Sequence, residues 1–278
     1  MEIIDGKKIA NKLLEDIKQK VDELEKKPGL AVILANDNPA SKIYVSSKEK
    51  KAAELGFESY SYKFDKSVSQ NEIIQTIKEL NKNPEVNGIL VQLPLFEHLN
   101  KDEIIQTINP EKDVDGFHPV NVGLLNGKLR ANAIPCTPKG IIKLLKAYNI
   151  NIEGKNALVI GRSNIVGKPI AALLTNENAT VTLAHSKTKN LKEHAKEADI
   201  IISATGKPNL IKADMVKKGA VVIDVGITKN SEAKLEGDVD FKNVKKVAKY
   251  ITPVPGGVGP MTVACLMENT LELYMLQN

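Results

Sequence analysis

The sequence has little that would place the protein in a membrane, outside the cell or around a structural metal ion. No apolar run reaches the roughly 20 residues that a membrane-spanning helix needs. The first residues, MEIIDGKKIANKLL, carry acids where a secretory signal has a basic and then an apolar stretch. The two cysteines, Cys136 and Cys265, form no C-x-x-C pair and lie near no histidine cluster in the sequence. We therefore expect a soluble cytoplasmic protein with buried thiols, no metal site and no membrane contact.

Arginine is also scarce. Of the 39 lysine and arginine residues, only Arg130 and Arg162 are arginines. The net charge of +5 is mild, and the lysines are mixed with acids in segments such as KEKKAAE. This mixture is typical of a solvated surface rather than of a nucleic-acid footprint, so no nucleic-acid partner is expected.

What is present, over 278 residues, is an alternation of short apolar runs with helical segments. The length predicts one large domain or two medium ones, and the alternation predicts parallel sheets with helical crossovers. A segment rich in Gly, Pro and Asn, residues 113–140, separates two such series. The predicted strands are 30–35, 57–64 and 86–95 in the first series, and 156–161, 179–185, 199–206, 219–227 and 247–257 in the second. Helices are predicted at about 40–55 and 69–82, from their helical period.

The second series opens with a candidate nucleotide loop, NALVIGRSNIVGKPIAALL, which reads as a buried strand, a tight turn and a helix. Gly161 and Gly167 bracket the turn, where glycine allows the backbone to approach a phosphate at the helix N-terminus. The pattern is G-x-S-x-x-x-G and not G-x-G-x-x-G, so by itself it is also compatible with an ordinary strand-to-helix turn. Its position at the start of a five-strand series favours a dinucleotide site.

The charge around this loop favours NADP over NAD. A site for NAD usually has Asp or Glu after the second strand, where it binds the ribose hydroxyls. Here that place reads AHSKTKN, without an acid, and Arg162 lies in the glycine loop. An arginine and hydroxyl groups are suited to a 2′-phosphate.

The first series contains candidate catalytic groups. Tyr44 and Lys48 are four residues apart and therefore share a face of a predicted helix. Gln92 ends an otherwise apolar strand, where parallel-sheet proteins place functional groups. Asp113 and Asp115 lie in the loop between the two series, and such loops often hold substrate. Each of these residues also has an ordinary structural explanation.

Together these segments resemble one family, the bifunctional methylenetetrahydrofolate dehydrogenase/methenyltetrahydrofolate cyclohydrolase enzymes of the bacterial FolD type. The segments follow the family's order and cover almost the whole chain. They are PASKIYVSSK (39–48), GILVQLPL (88–95), EKDVDGFHPVNVG (111–123), PCTPKG (135–140), GRSNIVGKP (161–169), ATG (204–206), DVGI (224–227), GDVDF (237–241) and TPVPGGVGPMT (252–262).

The resemblance implies an α/β protein of two lobes. One is a parallel αβα catalytic domain that binds folate, made of residues 1–136 and the C-terminal helix 261–278. The other is a Rossmann-like NADP-binding domain, residues 137–260. The implied function is the NADP-dependent oxidation of 5,10-methylenetetrahydrofolate and the hydrolysis of the methenyl product to 10-formyltetrahydrofolate, in one-carbon metabolism and purine biosynthesis. A cytoplasmic homodimer acting on tetrahydrofolate derivatives is also implied.

The resemblance also assigns roles to residues. Lys48 is the central catalytic residue, Tyr44 orients the folate and Lys48, Gln92 hydrogen-bonds Lys48, and Asp115 holds the pterin ring. The expected folate contacts are Tyr44, Lys48, Gln92, Leu93, Pro94, Asp115, Gly257 and Pro260. The expected cofactor contacts are Thr137, Gly161, Arg162, Ser163, Val166, Gly167, His185, Ser186, Thr205, Gly206, Gly226 and Ile227, with Arg162 and Ser186 on the 2′-phosphate.

Two alternatives stay open from the sequence. One is a short-chain-type NADP reductase, although in that family the Tyr-x-x-x-Lys pair follows the glycine loop and here it precedes it. The other is a non-catalytic NADP-binding protein. The chain also departs from the family at Asn36, where glycine is common, and at Phe96, where proline is common. We expect Asn36 to preserve the turn because asparagine tolerates positive φ better than most residues.

Overall fold

The computed structural model describes residues 1–229 and 234–278, which divide into two compact units. The three-stranded unit comprises residues 12–134 and 265–278, and the six-stranded unit comprises residues 1–11 and 135–264. The long helices α1 (Gly6–Asp22) and α10 (Val258–Gln277) each have residues in both units. The predicted domains differ from these units chiefly in the first eleven residues. As a functional division, the predicted domains stay a prediction.

The three-stranded unit contains a parallel sheet in the order β3-β2-β4. All six residues of the central strand, GLAVIL, are buried, as expected for a strand covered on both faces. In the register of the sheet Leu34 lies beside Gln92. The elements are β2 (Gly29–Leu34), α2 (Pro39–Leu55), β3 (Glu58–Lys63), α3 (Gln70–Lys82), β4 (Gly88–Gln92), α4 (Lys101–Thr107) and α5 (Pro119–Asn126).

Helix α2 has clear start and stop signals. The Asn38 side chain accepts a hydrogen bond from Ala40 N at 2.9 Å, and Pro39 occupies the first helical position. Gly56 ends the helix with φ of +80°, a conformation that glycine adopts without a steric penalty. These signals fix the bounds of the helix that carries Tyr44 and Lys48.

The six-stranded unit contains a parallel sheet in the order β1-β11-β8-β7-β5-β6. Apolar side chains of its strands and helices form one core, which includes Leu158, Ile201 and Val222. A separate antiparallel pair joins β9 (Thr228–Lys229) to β10 (Leu235–Glu236). The remaining elements are β1 (Glu2–Ile3), α6 (Cys136–Ala147), β5 (Asn156–Ile160), α7 (Gly167–Asn176), β6 (Thr180–Ala184), α8 (Leu191–Glu197), β7 (Ile200–Ser203), a 3₁₀ turn (Ala213–Met215), β8 (Val221–Asp224), α9 (Phe241–Val244) and β11 (Tyr250–Ile251).

The predicted alternation of strands and helices is confirmed, and so are the parallel sheets. A strand length, a helix and a backbone conformation differ from the predictions. The strand predicted at 247–257 has only two residues, Tyr250–Ile251. The segment 113–140, which separates the two series, contains a helix that was not predicted, α5, whose first turn is capped by His118 Nδ1 accepting from Val120 N at 3.1 Å. Asn36 is not among the described non-glycine residues with positive φ, so the expected reason for asparagine at that position was wrong.

Two further observations bear on the expectations from composition. Cys136 and Cys265 are both buried. Within residues 1–229 and 234–278, no helix is both long enough and apolar enough to cross a membrane.

Candidate functional site

Lys48 and Gln92 are in direct contact in the three-stranded unit. Lys48 Nζ, on α2, donates a hydrogen bond to Gln92 Oε1 at 2.9 Å. Gln92 Nε2 in turn donates to the carbonyl of Leu93 at 2.7 Å. Both ends of the Gln92 amide are therefore occupied, and the amide oxygen is the end that faces the donor nitrogen of Lys48. The predicted pairing of these two side chains agrees with this geometry.

Tyr44 lies one helical turn before Lys48 on α2, so the two side chains share a helix face. The Tyr44 side chain is 44% exposed, whereas Lys48 is half-buried. A phenol at this position is open to a ligand, and the amine beside it is partly shielded from water.

The two carboxylates of the 113–115 loop have different surroundings. Asp113 is buried and accepts hydrogen bonds from His118 N at 2.8 Å and Asn121 Nδ2 at 2.9 Å. Burial raises the pKa of Asp113, against the lowering effect of these hydrogen bonds. Asp115 is only half-buried, which leaves it as the carboxylate of this loop that a ligand can reach. The loop runs beside β4, because Ile89 N donates to the carbonyl of Lys112 at 2.7 Å.

The other predicted folate residues fall into two groups. Leu93 and Pro94 follow Gln92 directly and are joined by a cis peptide bond. Gly257 and Pro260 belong to the six-stranded unit. Gly257 packs closely on the start of α1: a Cβ on Gly6 would lie 1.8 Å from the carbonyl oxygen of Gly257.

The predicted glycine loop forms the turn between β5 and α7. Gly161 has φ of +116°, and a Cβ there would lie 2.3 Å from the carbonyl oxygen of Ala204. A Cβ on Gly167 would lie 1.9 Å from the carbonyl oxygen of Gly161. Ser163 Oγ accepts hydrogen bonds from Val166 N at 3.2 Å and Gly167 N at 3.3 Å. Only glycine fits at either end of this turn.

The remaining predicted cofactor residues lie mainly after neighbouring strands. Because β5, β6, β7 and β8 are parallel, their carboxyl ends meet at one edge of the sheet. Arg162 and Ser186 are exposed in the loops after β5 and β6. The other positions at this edge are His185 after β6, Thr205 and Gly206 after β7, and Gly226 and Ile227 after β8. Thr137 lies instead at the start of α6, where its hydroxyl is 2.9 Å from that of Thr262.

Two family models match the chain. The model described as "Tetrahydrofolate dehydrogenase/cyclohydrolase, catalytic domain" matches residues 4–115, and the model of the NAD(P)-binding domain of the same family matches residues 135–278. A curated relative from Campylobacter hominis, "Bifunctional protein FolD", is 55% identical over 275 residues, which cover 98% of this chain and 96% of the relative. The chain belongs to the tetrahydrofolate dehydrogenase/cyclohydrolase family.

Solved structures agree with the family models. The bifunctional FolD enzyme of Campylobacter jejuni has a TM-score of 0.99 at 50% identity, and all of both chains is covered. The FolD enzyme of Trypanosoma brucei, solved with NADP and an inhibitor, has a TM-score of 0.94 at 38% identity, over 99% of this chain and 97% of that one. The predicted family and the two-lobed α/β fold class are confirmed, and membership of this family decides against a short-chain-type reductase.

The loops of this family member fit NADP. Glycine at 161 and 167 lets the turn between β5 and α7 close tightly, and a helix N-terminus after such a turn favours a phosphate. The loop after β6 contains no carboxylate from His185 to Asn190, and its backbone is ordered by His185 N donating to Thr188 Oγ1 at 2.8 Å. Arg162 is therefore available to a 2′-phosphate without competition from an acid within this loop.

No role was predicted for Asp238, whose carboxylate contacts the loop after β7. This residue is fully buried, and its Oδ2 accepts hydrogen bonds from Ser203 Oγ at 2.9 Å, Thr205 N at 2.6 Å and Thr205 Oγ1 at 2.9 Å. Its Oδ1 is buried without a hydrogen-bond partner among the described residues. A Cβ on Gly226 would lie 2.2 Å from that oxygen. Asp238 thus joins the loop after β7 to the loop after β8.

Asp224 forms the second half of this arrangement. Its Oδ1 accepts from Gly226 N and Asp238 N, each at 2.9 Å, and its Oδ2 accepts from Val239 N at 2.9 Å. Burial raises the pKa of Asp224 to about 6. The only sequence signal for the pair was its place inside the motifs DVGI and GDVDF, and those motifs do not reveal that two buried carboxylates share one network.

Proposed function

We propose that Lys48 and Gln92 serve the hydrolytic half of a two-step folate reaction, and that the loops at the carboxyl edge of the six-stranded sheet bind the NADP used in the other half. The chain is a bifunctional enzyme that oxidises 5,10-methylenetetrahydrofolate to 5,10-methenyltetrahydrofolate with NADP⁺ and hydrolyses the product to 10-formyltetrahydrofolate. The observation that carries the division of roles is the hydrogen bond between Lys48 and Gln92.

The oxidation depends mainly on alignment, because the folate nitrogen lone pairs expel the hydride without a strong base. When bound, NADP⁺ supplies the hydride acceptor. The chain holds the 2′-phosphate of this cofactor through Arg162 and Ser186, and the pterin ring through Asp115. Tyr44, which is open to a ligand, orients the folate.

The hydrolysis needs a base, because water must lose a proton as it attacks the methenyl carbon. Lys48 accepts that proton as the oxygen–carbon bond forms. The bond from this carbon to N5 then breaks as the formyl C=O forms. N5 takes up one of the two protons of the water molecule and the other is released. Gln92 Oε1 accepts the hydrogen bond from Lys48 Nζ and so holds this nitrogen in place.

The cellular context is also a proposal. The family resemblance supports a homodimer that works in the cytoplasm on tetrahydrofolate derivatives. The expected cofactor contacts all lie within residues 137–260 and support that domain, whereas two of the expected folate contacts, Gly257 and Pro260, lie there as well.

Lys48→Met tests the division of roles. We expect the variant to lose hydrolysis of methenyltetrahydrofolate by roughly 10²- to 10⁴-fold, the usual contribution of a positioned acid or base. We expect a smaller loss of NADP⁺-dependent oxidation. Absorbance assays of the purified protein measure both reactions, the first with NADP⁺ and NAD⁺ in parallel.

Lys42→Met is the matched control, since Lys42 is an exposed lysine of the same helix that pairs with Asp37 at 3.3 Å. It should keep both activities. Equal loss of both activities in a folded Lys48→Met protein would contradict the assigned roles. Absence of both activities in the unaltered protein, with NADP still bound, would support the non-catalytic alternative instead.

A further inference from the structure

The Asn36 side chain is buried just after β2 and is bonded at both ends. It is 6% exposed. Its Nδ2 donates a hydrogen bond to the carbonyl of Pro94 at 2.6 Å, and its Oδ1 accepts one from Asn38 N at 3.0 Å. A buried amide with both groups satisfied is costly to disturb, because each partner that is left unpaired loses the hydrogen bond and stays desolvated.

These two bonds connect the segments that carry the Lys48–Gln92 pair. On one side, Asn38 is the N-cap of α2, the helix that holds Lys48. On the other side, Pro94 lies two residues after Gln92. Gln92 is itself fixed to this loop, since its Nε2 donates to the carbonyl of Leu93. The amide of Asn36 therefore bridges the start of α2 and the loop after β4.

The bridge is not what holds the two segments in the fold. Phe96 N donates to the carbonyl of Ala35 at 2.9 Å, a main-chain bond between the same segments. Beyond it, β2 and β4 are paired along their length. Loss of the Asn36 bridge should therefore shift the loop locally and leave the sheet intact.

We propose that Asn36 is a positioning residue for the hydrolytic step: it fixes the loop after β4 against the start of α2, and so keeps Gln92 Oε1 within hydrogen-bond distance of Lys48 Nζ. This inference rests on the proposed function of Lys48. A displacement of about 1 Å at a reacting group is enough to cost up to roughly a hundredfold in rate. Oxidation depends less on the Lys48–Gln92 bond, so the two activities respond differently.

Asn36→Asp is the decisive variant. Aspartate keeps the shape and the acceptor for Asn38 N, but it cannot donate to the carbonyl of Pro94. We expect the kcat of hydrolysis to fall about tenfold or more relative to the kcat of oxidation, with the KM for NADP⁺ unchanged. Asn36→Ala, which removes the amide without adding a charge, should move the ratio in the same direction and covers the case in which the aspartate variant does not fold.

Asn83→Asp is the matched control. Asn83 Oδ1 accepts from Glu85 N at 2.9 Å, which is the same two-residue turn that Asn36 makes with Asn38, at the end of α3. This control should keep the ratio of the two activities. An unchanged ratio in both Asn36 variants, or an equal loss of both activities, would overturn the positioning role. Absence of hydrolysis in the unaltered protein would instead overturn the proposed function, and this inference with it.

Discussion

The two units of the chain place polar groups in opposite ways. In the three-stranded unit the important groups are an amine and an amide, Lys48 and Gln92, which are half-buried and joined by one hydrogen bond. In the six-stranded unit they are two deeply buried carboxylates, Asp224 and Asp238, which accept hydrogen bonds from several loops at once.

The difference follows from what each unit does in the proposed function: the three-stranded unit positions a reacting side chain, and the six-stranded unit binds the cofactor through its loops. In the proposed function Lys48 is the reacting side chain, so its surroundings must hold it in position. The cofactor loops are tight turns with close-packed glycines, and buried side chains accept hydrogen bonds from their backbone N–H groups and hold the turns in place. Changes in the six-stranded unit should therefore act on cofactor binding, and changes around Lys48 should act on the chemistry.

Gly161→Ala should disturb the cofactor loops more than any other single change. An added Cβ would lie 2.3 Å from the carbonyl oxygen of Ala204, in a backbone conformation with φ of +116°. We expect NADP⁺-dependent oxidation to fall by more than roughly a hundredfold, because a shift of about 1 Å is enough for such a loss. Hydrolysis, which uses no NADP, should fall much less. Calorimetric titration with NADP⁺ and the two activity assays measure these effects.

Gly219→Ala is the control for Gly161→Ala, because it introduces backbone strain without a steric clash. Gly219 also has a positive φ, +85°, but nothing lies within 4 Å of its added Cβ. It should cost about 1–2 kcal/mol of stability and leave NADP binding intact. Equal loss of NADP affinity in the two variants would mean that the close approach at Gly161 is unimportant.

Asp224→Asn tests the carboxylate pair through pH. Burial raises the pKa of Asp224 from 3.8 to about 6, so the folded protein binds this proton more tightly than the unfolded chain. The resulting stabilisation is about 3 kcal/mol. It is fully present below about pH 4 and is lost as pH rises through about 6. As pH rises from about 4 to above 6, the unaltered protein loses this stabilisation, whereas Asp224→Asn has no proton to lose at this position. The free energy of unfolding of Asp224→Asn minus that of the unaltered protein should therefore become more positive by up to about 3 kcal/mol.

Denaturant unfolding at several pH values between about 4 and 8 measures the difference. Acids outside the Asp224–Asp238 network are the same in both proteins and cancel. Asp238, which contributes to the raised pKa of Asp224, is controlled by repeating the comparison in an Asp238→Asn background. Parallel curves for the two proteins would show that Asp224 does not titrate in this range.

Much of the fold followed from sequence, but the side-chain network did not. The buried strands and the capped helix α2 were predictable because apolar runs and N-cap signals act locally. Strand β11 was overestimated because a Gly/Pro-rich loop follows Tyr250 and Ile251 directly. The pairing of Asp224 with Asp238 depends on contacts between loops far apart in the sequence.

The candidate site shows the same limit. The Tyr44–Lys48 spacing was visible in the sequence, and the Lys48–Gln92 contact was anticipated only through the family resemblance. The bridging amide of Asn36 could not be anticipated, because its partners lie in separate segments and its role is not one of backbone freedom.

Thr205→Val should perturb the protein only mildly and should act on the cofactor loops alone. It removes the hydroxyl that donates to Asp238 Oδ2 at 2.9 Å, while Thr205 N still donates to the same oxygen at 2.6 Å. The loss of one hydrogen bond to a charged group should cost about 1.5–3 kcal/mol at most, less here because two donors to Asp238 remain. We expect the KM for NADP⁺ to rise a few-fold and the kcat of hydrolysis to stay the same. Steady-state kinetics of both reactions measure this split, and a fall in hydrolysis without a change in the KM for NADP⁺ would contradict the view that Asp238 works by holding the cofactor loops.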